Sequence, residues 1–597
     1  MAAPTDFTEL LLRHGTQLAD QTAFWFLSER RSGLRAAPLA GPEGLESDTI
    51  TYGELDQYAK GIAARLQQCD PVGRRAVVLH RDGPGFIGSF LGCLYAGAIP
   101  VPAPGPGGSR QNSERLVGIV KDTAAAFVLA DEETAPEVSR LLAGSGRTEA
   151  LCLAADHPRL ADPADWRRPE TAPGSPAYLQ YTSGSVSDPK GVAVGHDNLL
   201  ANQRMIQQAL GTHRRSRIGG WLPSHHDMGL IGQLLHPLYL GATGVLLPAL
   251  TFVRRPVRWL QAIDRYGITV TGAPHFAFEL CLRSVTDEQL SGLDLSRLET
   301  MVDGAEPVDP ASLDAFAERF ARAGLRPEAL RPAYGLAEAT LLVAAAAGHR
   351  APRYRLDPAA PAANRAEPDV PGGSARTLTS VGSVPEGTRL RIVDPANRQP
   401  LPAGDVGEIW VRGPAVAQGY WSRPRDTADT FQALLAGTGE GDEGHGEHWL
   451  RTGDLGFLGE DGELRVTGRL KDMLIVFGRN LYPQDIEGTV QKLSVLFGSS
   501  TAFTVEADRE HVVLVQEVRT GGGFDAELPA LAAAVQRCVT EEFEVAAENV
   551  LLVRPGTVRR TTSGKLRRAA MRQLFLAGRI EPLHEVIAPE VRALVLK

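Results

Sequence analysis

The sequence predicts an α/β protein with parallel sheets covered by helices, followed by a smaller α+β domain. Helical and strand patterns alternate through the first third of the chain, which favours parallel sheets. At 597 residues the chain is too long for one compact core, and after about Arg469 the pattern changes to shorter alternations. We therefore expect two domains, at residues 1–470 and 471–597.

Individual elements of the first domain can be placed from local patterns. Thr51 and Glu54 form a capping-box pattern, which predicts a helix directly after them. Residues 76–79 and 126–130 are short apolar runs typical of buried strands, and residues 85–96 predict a helix between them. This order of strand, helix and strand is the unit of a parallel sheet.

Later segments follow other patterns. Residues 344–375 are rich in Ala, Pro and Arg with little periodicity, so we expect an insertion or a long surface connection there. Residues 438–447 form an acidic, glycine-rich loop. Residues 501–505 and 511–518 have the pattern expected of strands in the smaller domain.

Composition and charge exclude several classes of protein. Hydrophobic residues make up 43% of the chain and charged residues 22%, which gives no support for global disorder. The formal net charge of −9 disfavours a broad nucleic-acid surface, because neutralising phosphates needs clustered Lys and Arg. Five scattered cysteines without a CxxC pattern, and a start without a signal-peptide pattern, predict a cytoplasmic protein.

Two apolar stretches, residues 86–104 and 229–250, resemble membrane spans at first sight. Both contain several Gly and Pro residues, and His236 lies within the second stretch. A membrane-spanning helix needs about 20 consecutive, mainly apolar residues. We therefore expect both stretches to be buried core and expect no membrane span.

A segment rich in glycine and hydroxyl groups follows the extended-looking residues 177–180. Its small residues and one lysine are Thr182, Ser183, Gly184, Ser185 and Lys190. Hydroxyls, backbone N–H groups and a lysine are suited to holding phosphate oxygens, although the Walker spacing is absent. A solvated Ser/Gly loop explains the segment equally well when it is taken alone.

Four later segments accompany it in a fixed order, at residues 334–340, 449–454, 468–472 and 561–565. The first combines the aromatic face of Tyr334 with the carboxylate of Glu338, and the second ends in Asp454, an acid suited to accepting two ribose hydroxyls. The ordered set resembles the adenylate-forming superfamily of acyl and aryl ligases, luciferases and peptide-synthetase adenylation domains. The resemblance covers nearly the entire chain.

Further stretches narrow the resemblance to fatty acyl-AMP ligases, at residues 92–104, 222–232, 304–307 and 478–487. In that family an insertion hinders the domain rearrangement used with coenzyme A, and acyl groups go to the phosphopantetheine of a carrier protein instead. Residues 344–375 lie where that insertion falls. The resemblance implies a large N-terminal domain of stacked mixed sheets with helices, and a smaller, mobile α+β domain.

The implied reaction is ATP-dependent activation of a fatty or related carboxylic acid to acyl-AMP, followed by transfer to a holo acyl carrier protein. Lys565 is implied to contact the acid and the α-phosphate, Glu338 to bind Mg²⁺, and His226 to lie beside the phosphates and the acyl tunnel. Lys471 matches the hinge position. Besides the phosphate segment, the implied ATP- and AMP-binding residues are Gly304, Ala305, Glu306, Tyr334, Gly335, Asp454 and Arg469.

The implied acyl pocket consists of four apolar residues, Met228, Ile231, Phe276 and Phe278. Aromatic core packing explains the two phenylalanines at least as well. A core histidine is the alternative for His226, and a solvated tail lysine is the alternative for Lys565. An ammonium about 4 Å from an anion contributes on the order of 4 kcal/mol at an effective dielectric near 20, which is enough to matter for the reaction rate.

Some residues depart from the family pattern. Val186 and Ser187 stand where Thr and Gly are usual, His225 replaces an aromatic residue, and His275 stands where Asn is common. These departures leave the preferred acid open. They do not remove the residues implied in adenylation.

Two alternative functions remain open from the sequence. One is an acyl-CoA ligase of the same superfamily, against which the insertion and residues 478–487 argue. The other is a non-catalytic, adenylate-binding regulatory module, against which Lys565 and Glu338 argue. The favoured hypothesis is a ligase that loads a carrier protein for lipid, lipopeptide or polyketide assembly.

Overall fold

The structure, a computed structural model, describes most of the chain. The described residues are 6–29, 45–80, 83–107, 110–146, 149–156, 160–172, 174–181, 190–348, 353–356, 367–368, 376–436, 446–476, 479–519, 526–543, 545–561 and 565–595. The chain divides into two compact units: unit 1 is Met1–Ala351, Val381–Leu390 and Trp410–Thr452, and unit 2 is Pro352–Ser380, Arg391–Ile409 and Gly453–Lys597. The domain boundary predicted at residues 470 and 471 stays a prediction.

Strands and helices alternate along much of the chain. The strands are β1 (Thr22–Glu29), β2 (Leu45–Thr51), β3 (Arg75–Val78), β4 (Ile99–Pro102), β5 (Phe127–Ala130), β6 (Leu151–Ala154), β7 (Pro176–Tyr181), β8 (Gly191–Gly195), β9 (Arg217–Gly220), β10 (Thr243–Leu246), β11 (Val270–Pro274), β12 (Thr300–Gly304), β13 (Leu330–Gly335), β14 (Leu342–Ala345), β15 (Tyr354–Leu356), β16 (Glu367–Pro368), β17 (Arg376–Leu378), β18 (Arg389–Val393), β19 (Gly407–Arg412), β20 (Gly419–Tyr420), β21 (Leu450–Leu458), β22 (Leu464–Arg469), β23 (Leu474–Val476), β24 (Arg479–Leu481), β25 (Phe497–Glu506), β26 (Glu510–Val518), β27 (Asn549–Val553) and β28 (Pro582–Val586). The helices are α1 (Phe7–Gln17), α2 (Tyr52–Gln67), α3 (Pro84–Ala96), α4 (Arg110–Thr123), α5 (Ala135–Gly144), α6 (His196–Leu210), α7 (His236–Leu240), α8 (Ala249–Arg254), α9 (Val257–Tyr266), α10 (His275–Ser284), α11 (Asp287–Ser291), α12 (Pro310–Ala321), α13 (Pro424–Phe431), α14 (Pro483–Gln491), α15 (Leu528–Phe543), α16 (Arg568–Leu576) and α17 (Pro589–Arg592).

The largest sheet of unit 1 has eight strands in the order β14-β13-β12-β11-β9-β10-β1-β2. The strands from β13 to β1 are parallel to one another, and the two outer strands β14 and β2 run antiparallel. Helices α9, α10 and α12 bury Trp259, Phe278 and Phe316 in the core cluster beside this sheet. Because β9, β11, β12 and β13 are parallel, their carboxyl ends meet at one edge, where open α/β sheets bind ligands.

Unit 1 also contains two smaller sheets. The strands β4-β3-β5-β6 form a fully parallel sheet, and β20-β8-β7 form an antiparallel one. The elements predicted at residues 76–79, 85–96, 126–130 and 177–180 are β3, α3, β5 and β7. Thr51 caps α2 in the predicted capping box with Glu54. These predictions, and the α/β class with mixed sheets, are confirmed.

The two apolar stretches lie mainly inside the fold, although Leu250, the last residue of the second stretch, is 55% exposed. The residues of α3 and β4 are almost all buried, which explains why the run at residues 86–104 is apolar on every side. Across the described ranges of the chain, no helix combines the length and the apolar character needed to cross a membrane.

Unit 2 contains a mixed sheet with the order β25-β26-β27-β28. Along β26, Val512 and Leu514 belong to the apolar cluster with α14 and α15, whereas Val513 and Val515 belong to the cluster with α16. The alternation places successive side chains on opposite faces. Both faces are buried, so residues 512–515 form a continuous apolar run, and the strands predicted at residues 501–505 and 511–518 are confirmed.

The segment at residues 344–375 contains more regular structure than its composition predicted. Ala344 and Ala345 belong to β14 and pair with β13. Farther along, β15 pairs with β16 and β17 in a small three-stranded sheet. Strands of two or three residues are too short to show a period of two, so no strand pattern is visible in this part of the sequence. The identity of the segment as the family insertion stays a prediction.

Candidate active site

Segments that are far apart in sequence meet at the carboxyl edge of the eight-stranded sheet. Residues 305–307 follow β12, and the helix α10 follows β11 directly. The register pairs Pro274 with Gly304, so β11 and β12 end at the same position along the sheet. The backbone N–H of Phe276 donates to Glu306 Oε2 at 3.1 Å. The predicted nucleotide-binding residues Gly304, Ala305 and Glu306 therefore lie beside the start of α10.

The turn after β12 has an unusual backbone. Ala305 has φ of +67°, a left-handed conformation that a residue with a Cβ adopts only at a cost. The side chain of Ala305 is exposed, and Glu306 is half-buried and held by the first turn of α10. A carboxylate at a helix N-terminus is electrostatically favourable. This contact was not foreseen from the sequence.

The loop after β13 carries the predicted metal ligand. Tyr334 is 8% exposed, and a Cβ on the adjacent Gly335 would collide with the carbonyl of Leu341, which folds back to accept the N–H of Leu336 at 2.9 Å. Glu338 lies in a 3₁₀ turn, Ala337–Ala339, and is half-buried. The close approach of the backbone thus requires glycine at position 335 and sets the direction of the loop.

The phenol of Tyr420 donates a 2.8 Å hydrogen bond to Glu338 Oε1. Burial of the phenol, together with the Glu338 carboxylate, raises the pKa of Tyr420 far above its ordinary value, so the group remains a donor at physiological pH. Tyr420 belongs to none of the motifs found in the sequence. Its distance of 82 positions from Glu338 leaves no local pattern that could have linked them.

Lys190 is the described part of the predicted phosphate segment, whereas Thr182, Ser183, Gly184 and Ser185 lie outside the described residues. Lys190 Nζ is 2.8 Å from Asp426 Oδ1 and 5.0 Å from the centre of the Tyr420 ring. The segment joins β7 to β8, and β8 pairs with β20, which contains Tyr420. This sheet thus places one flank of the phosphate segment beside the Glu338 loop.

The two adjacent histidines follow β9. The ring centres of His225 and His226 are 4.4 Å apart, and the carbonyl of His225 accepts from Gln180 Nε2 at 2.9 Å. Burial of the imidazole, with a smaller effect from Arg115, lowers the pKa of His225 to about 3, so this ring is neutral at physiological pH. Among the described residues there is no group of three or more His, Cys, Asp or Glu suited to a metal ion.

The predicted acyl-pocket residues lie in two places. Met228 begins a π-helix, Met228–Leu235, that also contains the buried Ile231, and Met228 packs against Gly272 in the middle of β11. Phe276 lies 5.9 Å from the ring of Trp221 and is half-buried. Phe278 is fully buried, with ring contacts to Trp259 and Phe316. The role of these residues as an acyl pocket stays a prediction.

A buried ion pair lies directly beside Phe276. His275 Nδ1 is 2.7 Å from Asp303 Oδ2, and both residues are buried. Burial disfavours a charged imidazole, but the attraction of Asp303, with smaller effects of Glu279 and Asp309, outweighs it and raises the pKa of His275 to about 9. Burial raises the pKa of Asp303, and His275 opposes this rise. His275, which stands where Asn is common in the family, thus introduces a positive charge that is paired with Asp303.

The remaining predicted residues belong to unit 2. Asp454 and Arg469 face each other across β21 and β22, with Arg469 Nε donating to Asp454 Oδ1 at 2.9 Å. Lys471 is exposed. The backbone of Lys565 is held by Thr561, because the N–H of Lys565 donates to Thr561 Oγ1 at 3.0 Å and its carbonyl accepts from the N–H of Thr561 at 2.8 Å.

Two family models and several curated proteins match this chain. Residues 29–421 match the family described as AMP-binding enzyme, and residues 471–585 match the AMP domain of Disco-interacting protein 2-like proteins. The chain is 38% identical over 553 residues to the medium-chain-fatty-acid–acyl-carrier-protein ligase JamA of Moorena producens, covering 90% of this chain and 91% of that protein. It is 36% identical over 570 residues to the long-chain-fatty-acid–AMP ligase FadD23 of Mycobacterium tuberculosis, covering 93% and 94% of the two chains.

A solved structure is similar along the whole chain. It is that of a fatty acyl-adenylate ligase from Legionella pneumophila in complex with acyl adenylate and pyrophosphate, with a TM-score of 0.71, 31% identity and 97% coverage of both chains. The family and the enzyme class predicted from the sequence, an ATP-dependent acid ligase, are thereby confirmed. The chain belongs to the AMP-binding enzyme family and, within it, to the fatty acyl-AMP ligases.

Proposed function

We propose that the protein converts a fatty carboxylic acid and ATP into acyl-AMP and pyrophosphate, and then transfers the acyl group to the phosphopantetheine thiol of a holo acyl carrier protein. In the first step a carboxylate oxygen bonds to the α-phosphorus, and the bond from that phosphorus to the bridging oxygen of pyrophosphate breaks. In the second step the thiol sulfur bonds to the acyl carbon, AMP leaves, and the thiol proton is released.

The observation that carries this proposal is the convergence of four segments at the carboxyl edge of one sheet. Four segments meet at this edge: the loop after β13 that contains Glu338, the turn after β12 that contains Ala305, the segment after β9 that contains His226, and the start of α10. Lys190 lies next to the Glu338 loop. Such an edge provides both charged groups and an apolar flank, which an acid substrate and a nucleotide need together.

Magnesium fits this edge as a nucleotide-bound ion. Mg²⁺ keeps several waters and uses one or two carboxylates with phosphate oxygens, so the single carboxylate of Glu338 suits it better than a cage of protein ligands would. When bound, the ion neutralises part of the charge on the phosphates. Glu338 is proposed to hold it, and Tyr334 and Gly335 are proposed to line the adenine site.

The other roles follow the same chemistry. Catalysis of phosphoryl transfer is mainly positioning and stabilisation of charge. Lys565 is proposed to supply a cation to the acid and the α-phosphate during adenylation. Asp454 and Arg469 are proposed to hold the ribose, and the cross-strand bond between them fixes the orientation of the carboxylate.

The two relatives named above are named for medium-chain and long-chain acids, so the panel of acids should span both lengths. A direct experiment incubates the protein with ATP, Mg²⁺ and a panel of acids, then adds holo carrier protein, apo carrier protein or coenzyme A. Mass spectrometry should show acyl-AMP and then acyl-loaded holo carrier, with apo carrier as the matched control. A panel that yields no acyl-AMP would contradict the enzymatic proposal.

The competing acceptor, coenzyme A, has its own test. Deleting residues 347–375 removes most of the segment proposed as the family insertion, residues 344–375, and keeps the pairing of Ala344 and Ala345 with β13. Coenzyme A turnover should rise in the deletion variant while acyl-AMP formation continues. An unchanged acceptor preference would show that this segment is not the barrier to coenzyme A.

A further inference from the structure

The Glu338 loop is held from one side by residues 415–420. Thr340 Oγ1 donates to the carbonyl of Ala415 at 2.7 Å, and the N–H of Ala417 donates to the carbonyl of Glu338 at 2.9 Å. The third contact is the 2.8 Å bond from the Tyr420 phenol to Glu338 Oε1. The first two bonds fix the backbone of the loop, and the third fixes the carboxylate itself.

The backbone of the loop is strained at the point where these contacts hold it. Thr340 has φ of +65° and ψ of −64°, a conformation rare for a residue with a branched side chain, and it is fully buried. Strain of this kind persists only where the surroundings over-determine the backbone. The contacts therefore hold the loop in one backbone conformation, which fixes the direction of the Glu338 side chain at a cost in conformational energy.

Tyr420 is itself fixed by several contacts. Its N–H donates to Thr427 Oγ1 at 3.0 Å, and its ring packs edge-on against Phe431 at 5.1 Å. Lys190 Nζ lies 5.0 Å from the ring centre, and Asp426 holds this ammonium at 2.8 Å. The phenol hydroxyl is thus presented to Glu338 by a rigid side chain rather than by a mobile one.

We propose that Tyr420 is a positioning residue for the metal ion of adenylation, in that it orients the Glu338 carboxylate towards Mg²⁺ and couples it to Lys190 at the end of the phosphate segment. This inference rests on the proposed function, since it takes Glu338 as the magnesium ligand. Hydrogen-bond partners that orient a ligating carboxylate typically change metal affinity by about 10- to 100-fold when they are removed.

The test is a comparison of Tyr420→Phe with Tyr95→Phe. Phenylalanine keeps the ring contacts with Phe431 and Lys190 and removes only the donor. Tyr95 is a matched control, because it is also buried and its phenol donates to a carboxylate, Asp56 Oδ1, at 3.2 Å, in another part of unit 1. Thermal unfolding of both variants measures the purely structural effect of losing one such bond.

Metal affinity is measured without turnover by electron paramagnetic resonance, with Mn²⁺ as the probe and saturating α,β-methylene-ATP as an unreactive nucleotide. Tyr420→Phe should raise the dissociation constant for Mn²⁺ by about tenfold or more, and Tyr95→Phe should leave it unchanged. In turnover, the concentration of Mg²⁺ at half-maximal rate should rise in Tyr420→Phe, and excess Mg²⁺ should restore most of kcat.

Glu338→Gln separates failure of this inference from failure of the proposed function. If Glu338→Gln leaves Mn²⁺ affinity unchanged, Glu338 is not the metal ligand and the proposed site itself is wrong. If Glu338→Gln weakens Mn²⁺ binding while Tyr420→Phe stays within twofold of the wild type, the positioning role of Tyr420 alone is overturned.

Discussion

The guanidinium of Arg568 forms a bidentate ion pair with the carboxylate of Glu487, with Nε donating to Oε1 at 2.8 Å and Nη2 donating to Oε2 at 2.6 Å. Its Nη1 also donates to Asp472 Oδ2 at 3.0 Å. The Glu487 side chain is 4% exposed and that of Arg568 is 16% exposed. Arg568 begins α16 three positions after Lys565, and Asp472 directly follows Lys471. One largely buried side chain within unit 2, three positions after Lys565, therefore contacts the residue next to the predicted hinge.

Arg568→Ala should lower the free energy of unfolding of unit 2 by about 3 kcal/mol or more, because it leaves the buried carboxylate of Glu487 without its cation. Chemical denaturation followed by circular dichroism measures the change. Arg592→Ala is the control, since Arg592 pairs with Glu585 at the surface and such pairs contribute about 0–1 kcal/mol. Equal effects of the two variants would contradict a structural role of the buried pair.

Lys565→Ala should lower the rate of pyrophosphate release by about 10²-fold, as loss of one preorganised electrostatic group does in other active sites. The exposed Lys492, at the end of α14, provides the control, and Lys492→Ala should keep the wild-type rate. An unchanged rate in Lys565→Ala would remove this lysine from the mechanism and favour a non-catalytic, adenylate-binding role.

His275 should make stability depend on pH between about 6.5 and 9. Because the pKa of His275 is raised to about 9 in the folded protein, its stabilising contribution is complete below pH 6.5, declines as the pH rises, and is lost above about pH 9. The rise in pKa corresponds to about 3 kcal/mol. The N–H of Asp309, 3.3 Å from His275 Nε2, would suit a neutral ring, but the 2.7 Å contact with Asp303 is the stronger interaction.

The measurement compares the free energy of unfolding of wild type and His275→Asn at several pH values. The difference between them should shrink by about 3 kcal/mol from pH 6.5 to pH 9. His236→Asn is the control, because burial lowers the pKa of His236 to about 3 and the ring is neutral in the folded protein across this range. A difference for His275→Asn that stays constant with pH would show that His275 is neutral in the folded state.

Gly335→Ala should damage both stability and adenylation. The new Cβ would collide with the carbonyl of Leu341, and backbone shifts of this kind cost about 1–3 kcal/mol. Displacing Glu338 by about 1 Å should lower the rate by about 10²-fold. Gly144→Ala is the control, because nothing lies within 4 Å of its added Cβ and α5 ends there. A fully active Gly335→Ala would disprove that this loop requires glycine.

The sequence by itself determined the local elements and the order of the motifs. The Thr51 capping box, the apolar run of β26 and the helix α3 depend on neighbouring residues, so their patterns were readable without the fold. The family followed from motifs in a fixed order. The roles assigned to Thr182 and Ser183 stay predictions, because these residues lie outside the described part of the structure.

Only the tertiary structure decided which groups touch. The pairing of β11 with β12 brings His275 to Asp303, and the pairing of β8 with β20 places Lys190 beside Tyr420 and the Glu338 loop. Contacts between residues 82 positions apart depend on strand order and on close packing rather than on any local period. For this reason the sequence could point to Glu338 as a candidate metal ligand, whereas its hydrogen-bond donor, Tyr420, was visible only in the folded chain.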